Sequence, residues 1–148
     1  MLNDEPRFKI AIGTDIIEIE RFRNLDIGSP FYSRVFSEVE VAYCMGFSEP
    51  ASHFAVTFAG KEAVAKATNS NCSATLRNIE ILRTNDGAPH VRIHKSCDFD
   101  VYVSLAHSST YAVAAAIAVH QSYESNMNEI QEMLEQTVIQ LLPEGEVS

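Results

Sequence analysis

Residues 51–68 read ASHFAVTFAGKEAVAKAT, an alanine-rich run that is apolar around most of a helical circumference. A helix with so little polar face belongs inside a core. The run therefore predicts a long buried helix over Ala51–Thr68, separated from what precedes it by the break at Ser48–Pro50. Its polar exceptions are Lys61, Glu62 and Lys66. Charged groups in a buried helix need a partner or a task, so these three are the first candidates for chemistry.

Upstream, Phe8–Glu20 reads FKIAIGTDIIEIE, isoleucine-rich and interrupted by Gly13, and predicts a strand ending among acidic residues. Arg21–Pro30 is polar and carries the turn signal Gly28-Ser29-Pro30. Ser37 and Glu40 have the spacing of a capping box, which starts a short helix at Ser37 running to about Gly46. Downstream, Asn78–Arg83 and Pro89–His94 alternate apolar and polar residues around Asn85-Asp86-Gly87, the pattern of a hairpin. Val101–Leu105 and Tyr111–Val119 read as two further strands, although the alanine content of the second also allows a helix. Met127–Leu142 predicts a helix with Met127, Ile130, Leu134, Val138 and Leu141 on one stripe. The sum is an α+β domain with an added C-terminal helix.

The 148 residues suffice for one domain with a real core. The longest apolar run, Tyr111–Val119, is half of what a membrane-spanning helix needs. The net charge of −9 argues against nonspecific nucleic-acid binding. Much of that charge sits in residues 121–148, which hold six glutamates and no Lys or Arg. The body can still present a local basic patch to an anionic partner. Cys44, Cys72 and Cys97 are odd in number and contain no CxxC pair, so reduced thiols in a cytoplasm are expected. The N-terminal MLNDEPRFKI lacks an apolar signal core, so no export is expected.

Asp15, in an otherwise apolar strand, reads either as an exposed strand-end residue or as a ligand for a hard cation. Glu62 and Lys66, at i and i+4, read either as a helical ion pair or as a metal ligand and a phosphate contact. His107, in VSLAHSS just past a strand, reads either as a surface histidine or as a functional one. Ser104, Ser108 and Ser109 read as turn residues, since no GxSxG elbow or Walker loop is present.

Taken in order, IAIGTDIIEIERF, FYSRVFSEVEV, FAGKEAVAKA, IEILRTNDGAPHV and VSLAHSSTYAVAAAIA resemble the 4′-phosphopantetheinyl transferases of the short holo-(acyl-carrier-protein) synthase type. The resemblance covers about residues 8–120, which would form the transferase domain, with 121–148 as an acidic helical extension. It implies an antiparallel sheet packed on a long buried helix. It also implies Mg²⁺-dependent transfer of 4′-phosphopantetheine from coenzyme A to a serine of an apo acyl carrier protein, releasing adenosine 3′,5′-bisphosphate, and a homotrimer with active sites between subunits.

Carried over residue by residue, Asp15 and Glu62 match the Mg²⁺ ligands. Lys66 matches a phosphate-contacting lysine, with Lys61 a weaker candidate. Gly87 and Pro89 match the loop near the nucleotide, and His107 the histidine near the coenzyme A phosphates. Glu18 matches a further acidic residue by the site. Arg21, Phe31 and Arg34 match the region that receives the carrier. Three positions depart from the pattern: Thr57 for an arginine, Ala88 for a Lys or Arg, and Ala106 for a hydroxyl residue. The lost charges point to weaker coenzyme A binding, to compensation by Arg77, Arg83 or Arg92, or to a noncatalytic carrier-binding subunit derived from the same fold.

Overall fold

The computed structural model describes residues 9–123 and 127–142, without the side chains at 69–71, 127 and 129. Strand β1 (Ile10–Glu18) leads through two short helices, α1 (Glu20–Arg23) and α2 (Pro30–Val35), into α3 (Glu38–Met45) and the long α4 (Pro50–Cys72). A 3₁₀ turn at Leu76–Asn78 opens the hairpin β2 (Ile79–Arg83) and β3 (Pro89–Ile93). Strands β4 (Phe99–His107) and β5 (Tyr111–His120) and helix α5 (Met127–Gln140) follow. β1, β5 and β4 form an antiparallel sheet with β5 in the middle, and β2–β3 is a separate two-stranded ribbon.

The expected α+β architecture is present, and its centre is the contact of α4 with the sheet. Ala112, Ala114, Ala116 and Ala118 of β5 all face the α4 core and are fully buried. Small side chains at period 2 let the helix lie close to the strand. Gly13 on β1, opposite Ala116, marks the tightest approach: a Cβ there would sit 2.0 Å from the Ala63 carbonyl oxygen. Near the other end of β1, Phe22, Phe31, Tyr32, Phe36, Phe54 and Phe58 form an aromatic cluster joining α1, α2 and α4.

The opposite face of β5 explains why Tyr111–His120 is a strand despite its alanines. Val113 and Ala115, with Ala106 of β4, pack against Leu134 and Val138 of α5. A central strand covered on both faces has no polar alternation to display. The C-terminal helix therefore docks on the body through part of its predicted apolar stripe. Leu141, placed on its apolar stripe, points to solvent, and Leu142 joins the packing instead. The side chain of Met127 lies outside the described residues.

Ser37 caps α3 as its spacing foretold: the Glu40 backbone N–H donates to Ser37 Oγ, and the Ser37 N–H donates to Glu40 Oε2 at 2.8 Å. The expectation of three reduced thiols is corrected. Cys72 and Cys97 form a disulfide with a Cα separation of 4.7 Å, and Cys44 alone is free. A sequence separation of 25 positions hides the pairing in the chain. In the fold, the β2–β3 ribbon doubles back so that His94 N–H donates to the Asn78 carbonyl, bringing the chain after β3 to the end of α4.

Candidate active site

Asp15 and Lys66 meet where β1 crosses the C-terminal half of α4. Lys66 Nζ donates to Asp15 Oδ1 and to the Thr14 carbonyl, both at 2.8 Å. The Asp15 side chain is 17% exposed and the ammonium half-exposed, so the pair opens to solvent at one side. Gly13 allows this meeting, since any larger residue would hold β1 off the helix. Glu62 is half-buried one helical turn before Lys66. Helical side chains lean toward the N-terminus, which carries the Lys66 ammonium toward the turn that bears Glu62. No Glu62–Lys66 ion pair forms among the described residues, because Lys66 reaches across to β1 instead. A groove lined by Thr14, Asp15, Ile16, Lys66, Val113, Leu141 and Leu142 opens beside the pair, so the end of α5 borders it. Glu18 is exposed at the end of β1.

His107 lies elsewhere, near the N-terminal end of α4. Its ring is 5.7 Å from that of His53, centroid to centroid, and His53 in turn stacks on Phe47 at 3.5 Å. Tyr43 is edge-on to both Phe47 and His53, and the Arg83 guanidinium lies 5.0 Å over the Tyr43 ring. Burial, then the nearby His107 and Arg83, hold His53 below the usual histidine range, and Glu49 opposes them. Gly87 lies in the loop immediately beyond Arg83, and Pro89 opens β3 and pairs with Arg83 across the ribbon. Asp86 organises that loop, accepting from Thr84 Oγ1 and from the Ala88 N–H, and Gly87 takes φ +87°, a conformation suited to glycine. His53, Phe47 and Tyr43 were not legible as site residues. Nothing in the linear chain signals that α3, α4, β2 and β4 converge there.

Lys61 is corrected from a phosphate candidate to a core residue. It is fully buried, and its ammonium donates to Glu40 Oε2 at 2.6 Å and to the Ile79 carbonyl. Burial draws its pKa down and Glu40 opposes the shift. Glu40 also accepts from the Ile81 N–H, and next to it Ser37 Oγ donates to Glu80 Oε1. Burial alone would raise the Glu80 carboxyl, but hydrogen bonds from Ser37 and His94 and the nearby Arg92 together hold it below the usual range.

Arg21 and Phe31 are brought together, the guanidinium 5.9 Å over the Phe31 ring and 5.4 Å over Phe58. Arg34 is exposed one turn further along α2. Of the three arginines offered as compensation, Arg77 is engaged by the Ser33 and Phe36 carbonyls, and Arg92 stands by Glu80 on the outside of the ribbon. Arg83 alone joins the histidine cluster. Thr57 is buried against Cys44, whose thiol burial pushes up to about 11, keeping it protonated.

The ordered match of the five segments has a counterpart among known proteins. The 4′-phosphopantetheinyl transferase superfamily profile matches residues 11–116. The chain belongs to this superfamily. It is of the short holo-(acyl-carrier-protein) synthase type, a family of transferase enzymes. A holo-(acyl-carrier-protein) synthase of Thermodesulfovibrio yellowstonii is 36% identical over 109 residues, 72% of this chain and 96% of the relative. One from Chlamydia pneumoniae is 39% identical over 119 residues, 74% of this chain and 97% of the relative. Among solved structures, the holo-(acyl-carrier-protein) synthase of Bacillus anthracis in complex with CoA (3′,5′-ADP) superposes with a TM-score of 0.65 at 28% identity. It covers 74% of this chain and 96% of its own. Strands β1 to β5 with α4 are thus the common transferase core, and α5 lies beyond the matched residues.

Proposed function

We propose that this transferase moves 4′-phosphopantetheine from coenzyme A to a serine of an apo acyl carrier protein with the help of Mg²⁺. The carrying observation is the Asp15–Lys66 contact, with Glu62 one turn away on the same helix: carboxylates and an ammonium at the open edge of an otherwise apolar junction. Among the described residues no three His, Cys, Asp or Glu side chains cluster to hold a metal alone. That donor set fits Mg²⁺, which takes one or two carboxylates and completes its shell with phosphate oxygens and water. Asp15 and Glu62 would hold the ion. Once bound, Mg²⁺ offsets charge on the pyrophosphate and on the leaving bisphosphate.

The chain's own residues supply the rest. Lys66 has three donors and gives two to Asp15 and Thr14, which leaves a third for a phosphate oxygen. The attacking serine comes from the carrier, and its proton would go to Glu62 through water or to a water held by the ion. Arg21 and Arg34 flank Phe31 as a basic, aromatic surface for an acidic carrier.

The His107 cluster sits at the other end of α4. His53 precedes Glu62 by nine positions and Lys66 by thirteen, about 14 and 20 Å along a helix rising 1.5 Å per residue. One chain therefore holds the two groups too far apart for neighbouring phosphates of one coenzyme A. This supports a site completed by a second copy, and with it the homotrimer that the resemblance implies. Ile10, Ile12 and Ile16, exposed along β1, give such a contact an apolar surface.

The test is direct: incubate the protein with coenzyme A, Mg²⁺ and an apo carrier, and measure the mass of the carrier. Phosphopantetheine should be added by the wild type and be lost, by a factor of about 100 or more, in Asp15→Ala and Glu62→Ala with the fold intact. Full activity in both variants would overturn the assignment.

A further inference from the structure

β1 is a free edge of the three-stranded sheet. Its odd-numbered residues bond to β5. The Ile19 N–H donates to the Thr110 carbonyl and the His120 N–H to the Lys9 carbonyl, both at 2.8 Å, in the register that pairs Asp15 with Ala114. Antiparallel pairing alternates along a strand, so Thr14 and Ile16 turn their backbone N–H and C=O groups outward. The Lys66 ammonium already uses this edge at the Thr14 carbonyl. The groove beside the Asp15–Lys66 pair wraps around the same edge. Asp15 and Lys66 line it on the α4 side of the sheet, and Ile16, Val113, Leu141 and Leu142 on the α5 side. Its volume of about 530 Å³ is that of a small-molecule site. Leu142 anchors the end of α5 in the packing on the sheet, while Leu141 stays 60% exposed and Ile16 65% exposed. The groove is thus charged at one end, apolar along one wall and open to main-chain hydrogen bonds along its rim. Because α5 lies beyond residues 11–116, that wall is an addition to the common transferase core.

We propose that this groove holds the pantetheine arm of coenzyme A, and that Leu141 of α5 is a specificity-determining residue that grips the arm. The proposal rests on the transferase reading above and deepens it. The arm is joined directly to the pyrophosphate, so a phosphate oxygen bound at Lys66 places the start of the arm at the charged end of the groove. The arm is uncharged, carries a gem-dimethyl group near its phosphate end and continues as an extended chain with two secondary amides. Leu141 and Ile16 offer apolar surface to the methyl groups. The outward N–H and C=O groups of β1 offer partners to the amides, as a sheet edge does to an added strand. The rival occupant is a second copy of this chain, since Ile10, Ile12 and Ile16 are exposed along the same strand. Continuity of the groove with Asp15 and Lys66 favours the arm.

The experiment compares coenzyme A with 3′-phosphoadenosine 5′-diphosphate, which keeps every phosphate and lacks the arm. Binding of each to the full chain is measured by calorimetry, kcat and KM for coenzyme A with an apo carrier, and the oligomeric state by sedimentation. Leu141 is exposed, so Leu141→Asn should keep the wild-type melting temperature. It should weaken coenzyme A binding about fivefold and raise KM by a similar factor, with kcat and the diphosphate affinity within about twofold of the wild type. Leu141→Met should stay near the wild type, and Ile16→Thr should act in the same direction as Leu141→Asn. Unchanged coenzyme A affinity in both Leu141→Asn and Ile16→Thr overturns the proposal, as does equal weakening of both ligands. A changed oligomeric state with loss of both ligands also overturns it and gives the groove to a second copy. If no carrier is modified by the wild type, the transferase reading falls, while the two calorimetric affinities still decide what the groove holds.

Discussion

Replacing Lys61 by methionine tests the fully buried Lys61–Glu40 ion pair. Methionine keeps the length and much of the packing of the lysine stem and removes the ammonium. Glu40, at 1% exposure, would retain its hydrogen bonds from the Ser37 and Ile81 N–H groups but lose the one salt-bridge partner it has among the described residues. The Ile79 carbonyl would lose a donor as well. Breaking a buried pair from one side costs about 3–5 kcal/mol, because the remaining charge is left uncompensated. For a chain of this size each kcal/mol moves the melting temperature by roughly 2–4 °C. Lys61→Met should therefore melt about 6–20 °C below the wild type by circular dichroism, and lose about 3–5 kcal/mol in a urea titration. Adding Glu40→Gln should recover part of the loss by discharging the stranded carboxylate. A loss under about 1 kcal/mol would refute the argument. So would an intact melting temperature combined with a raised KM for coenzyme A, which would return Lys61 to the phosphate site.

Two further outcomes follow from close contacts. Gly13→Ala places a methyl 2.0 Å from the Ala63 carbonyl oxygen and 2.7 Å from the Ala67 nitrogen, both backbone atoms. It should cost about 1–3 kcal/mol in urea unfolding and depress transfer by shifting Asp15 away from α4; unchanged values for both would contradict the close approach. A chain ending at Tyr123 uncovers Ala106, Val113 and Ala115 and removes the buried Leu134 and Val138. At about 1.5–3 kcal/mol per buried side chain it should lose roughly 3–6 kcal/mol by thermal or urea unfolding. Its turnover number should persist, because Asp15, Glu62 and Lys66 all lie on β1 and α4. Unchanged stability would mean that α5 does not rest on the sheet in solution.

Local order was written in the chain, and long-range pairing was not. The period of apolar residues, the Ser37–Glu40 capping box and the Asn85-Asp86-Gly87 turn act over a few residues, so the long helix, the ribbon and the strands were legible without coordinates. The ordered motifs likewise marked Asp15 and Lys66, and the fold joins them at 2.8 Å. What the sequence could not distribute among partners was charge and sulfur. Lys61 and Lys66 are five positions apart on one helix, about 500° of rotation and hence on different sides of it, and only the packing of α3 and β2 on one side and β1 on the other decides which is buried. Cys72 and Cys97 became neighbours because the ribbon folds back. The alanines of β5 became a strand because α4 and α5 cover both of its faces. The cluster of Tyr43, Phe47, His53, Arg83 and His107 exists only where four elements meet, since burial and proximity between distant segments are set by tertiary packing and leave no periodic trace in the chain.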